Sequence, residues 1–376
     1  MKTKIQSLFI GLALVAGVYR AAAQLPVISS FSQNGVLGCS NLNPGSTCTV
    51  QWASSLTGSW SNLYTLTVAS NQTVVASVPM FYRVLGVAAP TNPPAPSGMA
   101  LIPAGSFTMG DSLDGESDAL PTVTYVSAFY LDQTDVTEAL WQQVYNWALN
   151  HGYSFDDSGS DVDGYSDAKG PNYPVVAVNW YDCVKWCNAR SEMEGRTPAY
   201  YTTAAQTAVY RTGDIALANG CVNWNGGYRL ATEAEWEKAA RGGLSGQRFP
   251  WGDTISETQA NYSGDTSISY DLGPNDYNTN FNTGEMPYTS PVGYFGANGY
   301  GLKDMAGNVE EWCWDWYGTP YGQPNTINPT GPITGNYRVL RGGAWGSLAF
   351  FEGCAFRYYF PGPGSFFIGF RCVRGH

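Results

Sequence analysis

The residues whose types could do chemistry gather near the end of the chain, in RGGAWGSLAFFEGCAFRYYF (341–360). One thiol, Cys354, stands there among Trp345, Phe350, Phe351, Phe356, Tyr358, Tyr359 and Phe360. An accessible thiolate could act as a nucleophile or hold a soft metal ion. The aromatic side chains could stack on a sugar or anchor a protein partner. The same residues could equally fill a core. Imidazole chemistry has almost no material, because the only histidines are His151 and the terminal His376. A zinc site or a two-His-one-carboxylate iron centre is therefore left without its usual ligands.

The eight cysteines, Cys39, Cys48, Cys183, Cys187, Cys221, Cys313, Cys354 and Cys372, contain no CxxC pair. An even count favours disulfides if the chain leaves the cytoplasm. Export is expected. MKTKIQSLFIGLALVAGVYRAAAQ places Lys2 and Lys4 before an apolar run from Leu8 to Val18 and then Ala21-Ala22-Ala23. This is the pattern of a cleaved signal peptide over residues 1–23, with an apolar run too short to span a bilayer. No later segment reaches membrane-spanning length, so the expected location is secreted, periplasmic or cell-surface. A net charge of −11, with only 13% charged residues, argues against a nucleic-acid partner.

These residues need elements to position them. From Leu25 to Val87 short alternating runs such as TVQWASSL and WSNLYTLTVA predict a small all-β domain over 24–88. Cys39 and Cys48 are close enough to staple one of its loops. APTNPPAPSG (89–98) is a proline-rich linker of extended geometry. The second domain runs over 99–376, with three predicted helices. DVTEALWQQVYNWALNHG is capped by Thr137 and turns Leu140, Val144, Trp147 and Ala148 to one face. NWYDCVKWCNARSEMEG puts Trp180, Cys183, Val184 and Cys187 on one face; two cysteines four apart on a helix are poorly placed to bond each other. TEAEWEKAARGG carries a capping box, Thr232 with Glu235, and stops at Gly242-Gly243. The rest is loop-rich, so the domain is α+β with little regular structure and must be held by something other than sheet ladders.

Eight blocks then follow in one order: LIPAGSFTMGDS, YLDQTDVTEALW, PVVAVNWYDCVKWC, YRLATEAEWEKAARGG, FPWGD, SPVGYFGANGYGLKDMAGNVEEW, RVLRGGAW and IGFRCVR. From about Met99 to Arg374 the chain resembles the sulfatase-modifying-factor family, the formylglycine-generating-enzyme domain. The resemblance implies that family's variant of the C-type-lectin-like fold, with structural calcium. Asp304, Gly307, Val309 and Glu311 match the positions that bind one calcium ion, and Asn261 and Tyr262 match part of a second site. The chain departs from the family at Ala231, Lys303 and Glu310, where proline, tyrosine and tryptophan are usual.

Family members that make formylglycine use copper(I) held by two cysteines five residues apart. Here the first copper position is Ser347 and the second is Ala349 or Glu352, so copper is not expected: a hydroxyl or carboxylate does not replace a thiolate on this soft ion. The same matching pairs Cys187 with Cys372. It makes Cys354 a structural cysteine whose usual partner has become Ala240, leaving Cys183, Cys221 or Cys313 as candidates. The expected role is a ligand-binding or structural module. Ser347, Phe350, Phe351, Glu352, Arg357, Tyr358 and Tyr359 are the candidate binding surface for a protein or glycan, with about half of the neighbouring aromatics in the core. The alternative is an exported oxidoreductase of the same superfamily with a divergent active site.

Overall fold

The computed structural model describes residues 95–113, 115–159, 169–319, 326–362 and 364–376 in full. It also describes the backbone of strands at 27–31, 36–40, 47–52, 61–67, 74–77, 161–162 and 165–166. The expected signal peptide and most of the expected linker lie outside the described residues. The chain divides into two compact units, residues 1–93 and 94–376.

In the first unit the alternating runs form strands β1 (Val27–Phe31), β2 (Val36–Ser40), β3 (Thr47–Trp52), β4 (Ser61–Thr67) and β5 (Val74–Ser77). They make a three-stranded sheet, β1-β2-β5, and a separate β3-β4 ribbon, all antiparallel. Cys39 lies on β2 and Cys48 on β3. Their side chains, and the link expected between them, fall outside the described residues.

The second unit opens with β6 (Met99–Ile102), β7 (Gly105–Met109), β8 (Thr122–Val126), β9 (Phe129–Asp132) and helix α1 (Glu138–Leu149). After the short pair β10 (Asp161–Val162) and β11 (Tyr165–Ser166) come α2 (Trp180–Met193), β12 (Tyr228–Leu230) and α3 (Glu233–Ala240). A long irregular stretch holds only β13 (Ser263–Gly264) and β14 (Asp276–Tyr277). The chain ends with β15 (Glu310–Trp316), β16 (Arg338–Arg341), β17 (Tyr358–Tyr359), β18 (Ile368–Gly369) and β19 (Cys372–Gly375). Two four-stranded sheets, β12-β19-β9-β6 and β17-β16-β15-β18, carry the site described below. No described helix is long and apolar enough to cross a membrane.

The helices form where local chemistry predicts. Thr137 caps α1 by accepting from the Leu140 amide at 3.2 Å. Thr232 and Glu235 complete the capping box of α3, and Gly242 and Gly243 end it with positive φ. Thr232→Ala is expected to cost about 1 kcal/mol in denaturant unfolding, a loss that Thr232→Ser should largely avoid. The buried faces differ from expectation. On α1 it is Trp141 that lies fully inside, stacked on Trp186 at 5.6 Å, while Leu140 and Trp147 are half-buried. Helix α2 is buried on every side over most of its length, because α1 and β12 both pack on it.

What holds so much irregular chain is a set of buried ion pairs centred on α3. Its acids point to three different parts of the chain: Glu233 to Arg357 (2.6 Å), Glu235 to Arg229 (2.6 Å) and Glu237 to Arg341 (2.5 Å). Arg241 closes on Glu237 at 2.8 Å. Such pairs add little net stability against an apolar alternative, but removing one partner leaves an uncompensated buried charge. They therefore specify which loops pack together.

Candidate functional site

The loop 304–309 enters β15 through an unusual backbone. Asp304, Gly307 and Asn308 all have positive φ, of 58°, 75° and 68°. Gly307 is required there, since a Cβ would fall 2.3 Å from the Asn261 carbonyl oxygen. The Asn308 amide donates to that same carbonyl at 2.8 Å, and the Gly307 amide donates to Gly342 O at 2.7 Å. The acidic loop, Asn261 and the RGG turn thus meet at one place.

Arg371 sits behind the loop and is fully buried. Its Nε donates to Glu311 Oε2 (2.8 Å), Nη1 to the carbonyls of Lys303 (3.0 Å) and Asp132 (3.3 Å), and Nη2 to Asp135 Oδ1 (2.9 Å) and Asp304 O (3.1 Å). One arginine therefore faces three acids. Glu311 also accepts from Trp236 Nε1 at 2.9 Å, and Asp304 Oδ2 from the Gly293 amide at 2.5 Å. One oxygen of each acid is left over: Asp135 Oδ2, Asp304 Oδ1 and Glu311 Oε1 are buried without a hydrogen-bond partner. Burial pushes the Asp304 carboxyl up to about 6 and that of Asp135 well above its usual range, with Arg371 opposing in both. Among the described residues no three His, Cys, Asp or Glu side chains converge as a complete metal site. The orphaned Asp304 and Glu311 oxygens nevertheless belong to the loop whose Gly307 and Val309 carbonyls would complete an oxygen cage, so these residues fit a hard cation. At the other expected set, Asn261 Nδ2 donates to Tyr288 O at 2.9 Å and the Tyr262 hydroxyl donates to Asp271. Neither residue leaves a buried side-chain atom unpaired.

The segment after the RGG turn divides between inside and outside. Ser347, Phe350 and Phe351 are half-buried, and Tyr358 and Tyr359 are exposed. Two residues expected on that surface are inside instead. Arg357 is the counter-ion of Glu233 and also donates to the Asp118 and Gly318 carbonyls. Glu352 is 0% exposed, beneath the Gly342-Gly343 turn. A chain packed mostly as loops can bury charge wherever a distant partner or backbone cradle is available, and both residues follow that rule.

The aromatics form two groups. Phe350, Phe351 and Phe356 pack with centroids 3.9–5.4 Å apart, and Tyr358 meets Phe351 edge-on at 6.3 Å. Tyr359 continues the row, stacked on Tyr337 and tilted against Tyr317, both at 4.7 Å. Tyr337, Tyr358 and Tyr359 form the exposed edge. The second group surrounds Trp345: Tyr288 at 5.1 Å, Tyr277 at 5.6 Å, Phe367 at 4.6 Å and Phe366 at 6.2 Å. Tyr277, Tyr288 and Tyr317 are far from 341–360 in sequence, and no local pattern connects them to it; Tyr337 directly precedes β16, which pairs with β17.

Comparison with known proteins bears on this arrangement directly. A family model for the sulfatase-modifying factor enzyme 1-like domain matches residues 86–376. The chain belongs to the sulfatase-modifying factor family. It is 32% identical over 300 residues to the formylglycine-generating enzyme of Bos taurus, covering 76% of each chain. It is 30% identical over 258 residues to the chaperone protein LppX of Paenibacillus barcinonensis, covering 66% of this chain and 78% of that one. Among solved structures, Treponema denticola variable protein 1 superposes with a TM-score of 0.57 at 29% identity, over 74% of this chain and 95% of that one. The fold is the α+β, C-type-lectin-like fold of this family.

For a sulfatase-modifying-factor domain, the thiols matter most. All six described cysteines, Cys183, Cys187, Cys221, Cys313, Cys354 and Cys372, are buried and stand as thiols. Cys187 and Cys372 face each other, sulfur to sulfur, at 3.6 Å, carried by α2 and β19. Cys354 shares its core cluster with Cys313 and with none of the other candidate partners. Burial pushes its thiol up to about 12, against the opposing effect of Arg241, so almost no thiolate exists near neutral pH. Of the residues expected at the copper positions, Ser347 accepts from the Ala344 amide through Oγ at 3.1 Å, and Ala349 and Glu352 are buried.

Proposed function

We propose that this member of the family is an exported ligand-binding or structural module rather than a copper-dependent generator of formylglycine. The observation that carries this reading is Ser347 at the first copper position, with no cysteine at either candidate for the second. The thiol nearest in sequence, Cys354, is buried, and burial pushes it up to about 12. Neither a soft-metal site nor a nucleophile is then available. The binding surface is the exposed edge of the aromatic row, Tyr358 and Tyr359 with Tyr337, backed by Phe350 and Phe351. Tyrosines suit this task because each offers a flat apolar face and a polar tip at low entropic cost. The ligand class is a glycan or a protein surface.

A sulfatase peptide containing the CxPxR motif, incubated with the protein, copper(I) and oxygen, should show no aldehyde by mass spectrometry. Aldehyde formation would sink the reading. On a glycan and peptide array, Tyr358→Ala combined with Tyr359→Ala should reduce any captured ligand signal at least tenfold without lowering the melting temperature by more than a few degrees. A ligand bound equally by the double variant would move the surface elsewhere.

The same reading includes calcium in the loop 304–311. Asp304 and Glu311 would hold it through side-chain oxygens, and Gly307 and Val309 through their carbonyls. The ion supplies positive charge to carboxylates that Arg371 alone cannot fully satisfy.

A further inference from the structure

We propose that Glu352, Glu310 and Ser347 form an oxygen-only site for a hard divalent cation, distinct from the Asp304–Glu311 loop. Glu352 is 0% exposed, and neither carboxylate oxygen has a hydrogen-bond partner. The Gly307 and Ala344 amides lie against the carboxylate and partly oppose the effect of its burial, but their well-formed hydrogen bonds go to Gly342 O at 2.7 Å and to Ser347 Oγ at 3.1 Å. Ser347 Oγ and the carboxylate thus share the Ala344 amide as a neighbour. Glu310 adds a second negative group: it opens β15, whose Glu311 pairs with Arg341 at the end of β16, immediately before the Gly342-Gly343 turn that covers Glu352. Glu310 replaces an apolar family residue and is itself only 8% exposed. No lysine or arginine is paired with either acid among the described residues; Arg341, Arg357 and Arg371 are directed to Glu237, Glu233 and Glu311.

The backbone is shaped around this carboxylate. Gly343 has φ 67°, and a Cβ there would lie 2.3 Å from Glu352 Oε1 and 2.6 Å from Oε2. The turn is therefore open only because residue 343 lacks a side chain. A buried carboxylate without a counter-ion, whose nearest amides are already engaged, carries a heavy desolvation cost, and two together carry more. A cation between them removes that cost. Carboxylate and hydroxyl oxygens are hard donors that suit magnesium, calcium or manganese and not copper(I). The proposal does not depend on calcium at Asp304, nor on the aromatic binding surface.

Full-length protein stripped of metal should be titrated with Mn²⁺ by electron paramagnetic resonance and weighed by native mass spectrometry in Ca²⁺. Glu352→Gln and Glu310→Gln should each bind one ion fewer than the parent chain, or bind it at least 100-fold more weakly. Asp304→Asn, which alters the other loop, should leave this ion in place. An unchanged ion count in Glu352→Gln, with a raised melting temperature, would assign a protonated Glu352 instead and overturn the proposal. Should Glu352→Gln fail to fold, Glu310→Gln decides, since its carboxylate lies nearer solvent; an unchanged count there is equally fatal.

Discussion

Replacing Arg371 with alanine should destabilise residues 94–376 by roughly 3–5 kcal/mol, the cost of leaving buried charge without its partner. Every N–H of this guanidinium is used, on Glu311, Asp135 and the carbonyls of Asp132, Lys303 and Asp304. Its removal strands Asp135 and Glu311, each of which already has one unpaired oxygen. It also frees the Asp304 carbonyl, which helps to set the loop at positive φ. Lysine should recover only part of the loss: it keeps the charge but cannot present five donors in a planar fork. Urea unfolding of the parent, Arg371→Ala and Arg371→Lys provides the measurement. A loss below about 1 kcal/mol for alanine would mean that the acids are neutral, or neutralised by something other than Arg371.

Chelation should have the next largest effect. If a divalent cation occupies the 304–311 loop at about a hundred times its dissociation constant, its removal costs close to 3 kcal/mol. The melting temperature should then fall by several degrees on adding EDTA and return on adding excess Ca²⁺. Asp304→Asn should start near the chelated value and respond less to EDTA, because one of the two side-chain ligands has lost its charge. Identical melting curves for the parent chain with and without chelator would remove the cation from the account. The carboxyls of Asp135 and Asp304, which burial already pushes up, would then carry protons in place of a cation.

These two results would test a feature that sequence patterns only partly expose. The caps of α1 and α3 were legible because each depends on residues within one turn, Thr137 with the Leu140 amide and Thr232 with Glu235. The order of blocks identified the family, and with it the approach of Cys187 to Cys372 across 185 positions. The inward face of α1 was misjudged at Trp141, because both sides of its amphipathic stripe are apolar and only contact with Trp186 selects one. Tyr277 and Tyr288 carry no local sign of proximity to residues 341–360; loop packing brings them to Trp345.

By itself the sequence determined the local events and the family. Capping, helix stops and strand alternation follow from residue type and near neighbours, and the family from the order of the blocks. The tertiary structure alone decided which charged groups go inside. Arg357 and Glu352 would be read as surface residues in any local window, yet Arg357 meets Glu233 across 124 positions and Glu352 lies in a cradle made by Gly343. Burying a charge is unfavourable until a partner or ion offsets its lost hydration, and that partner is supplied by the fold rather than by the neighbouring sequence.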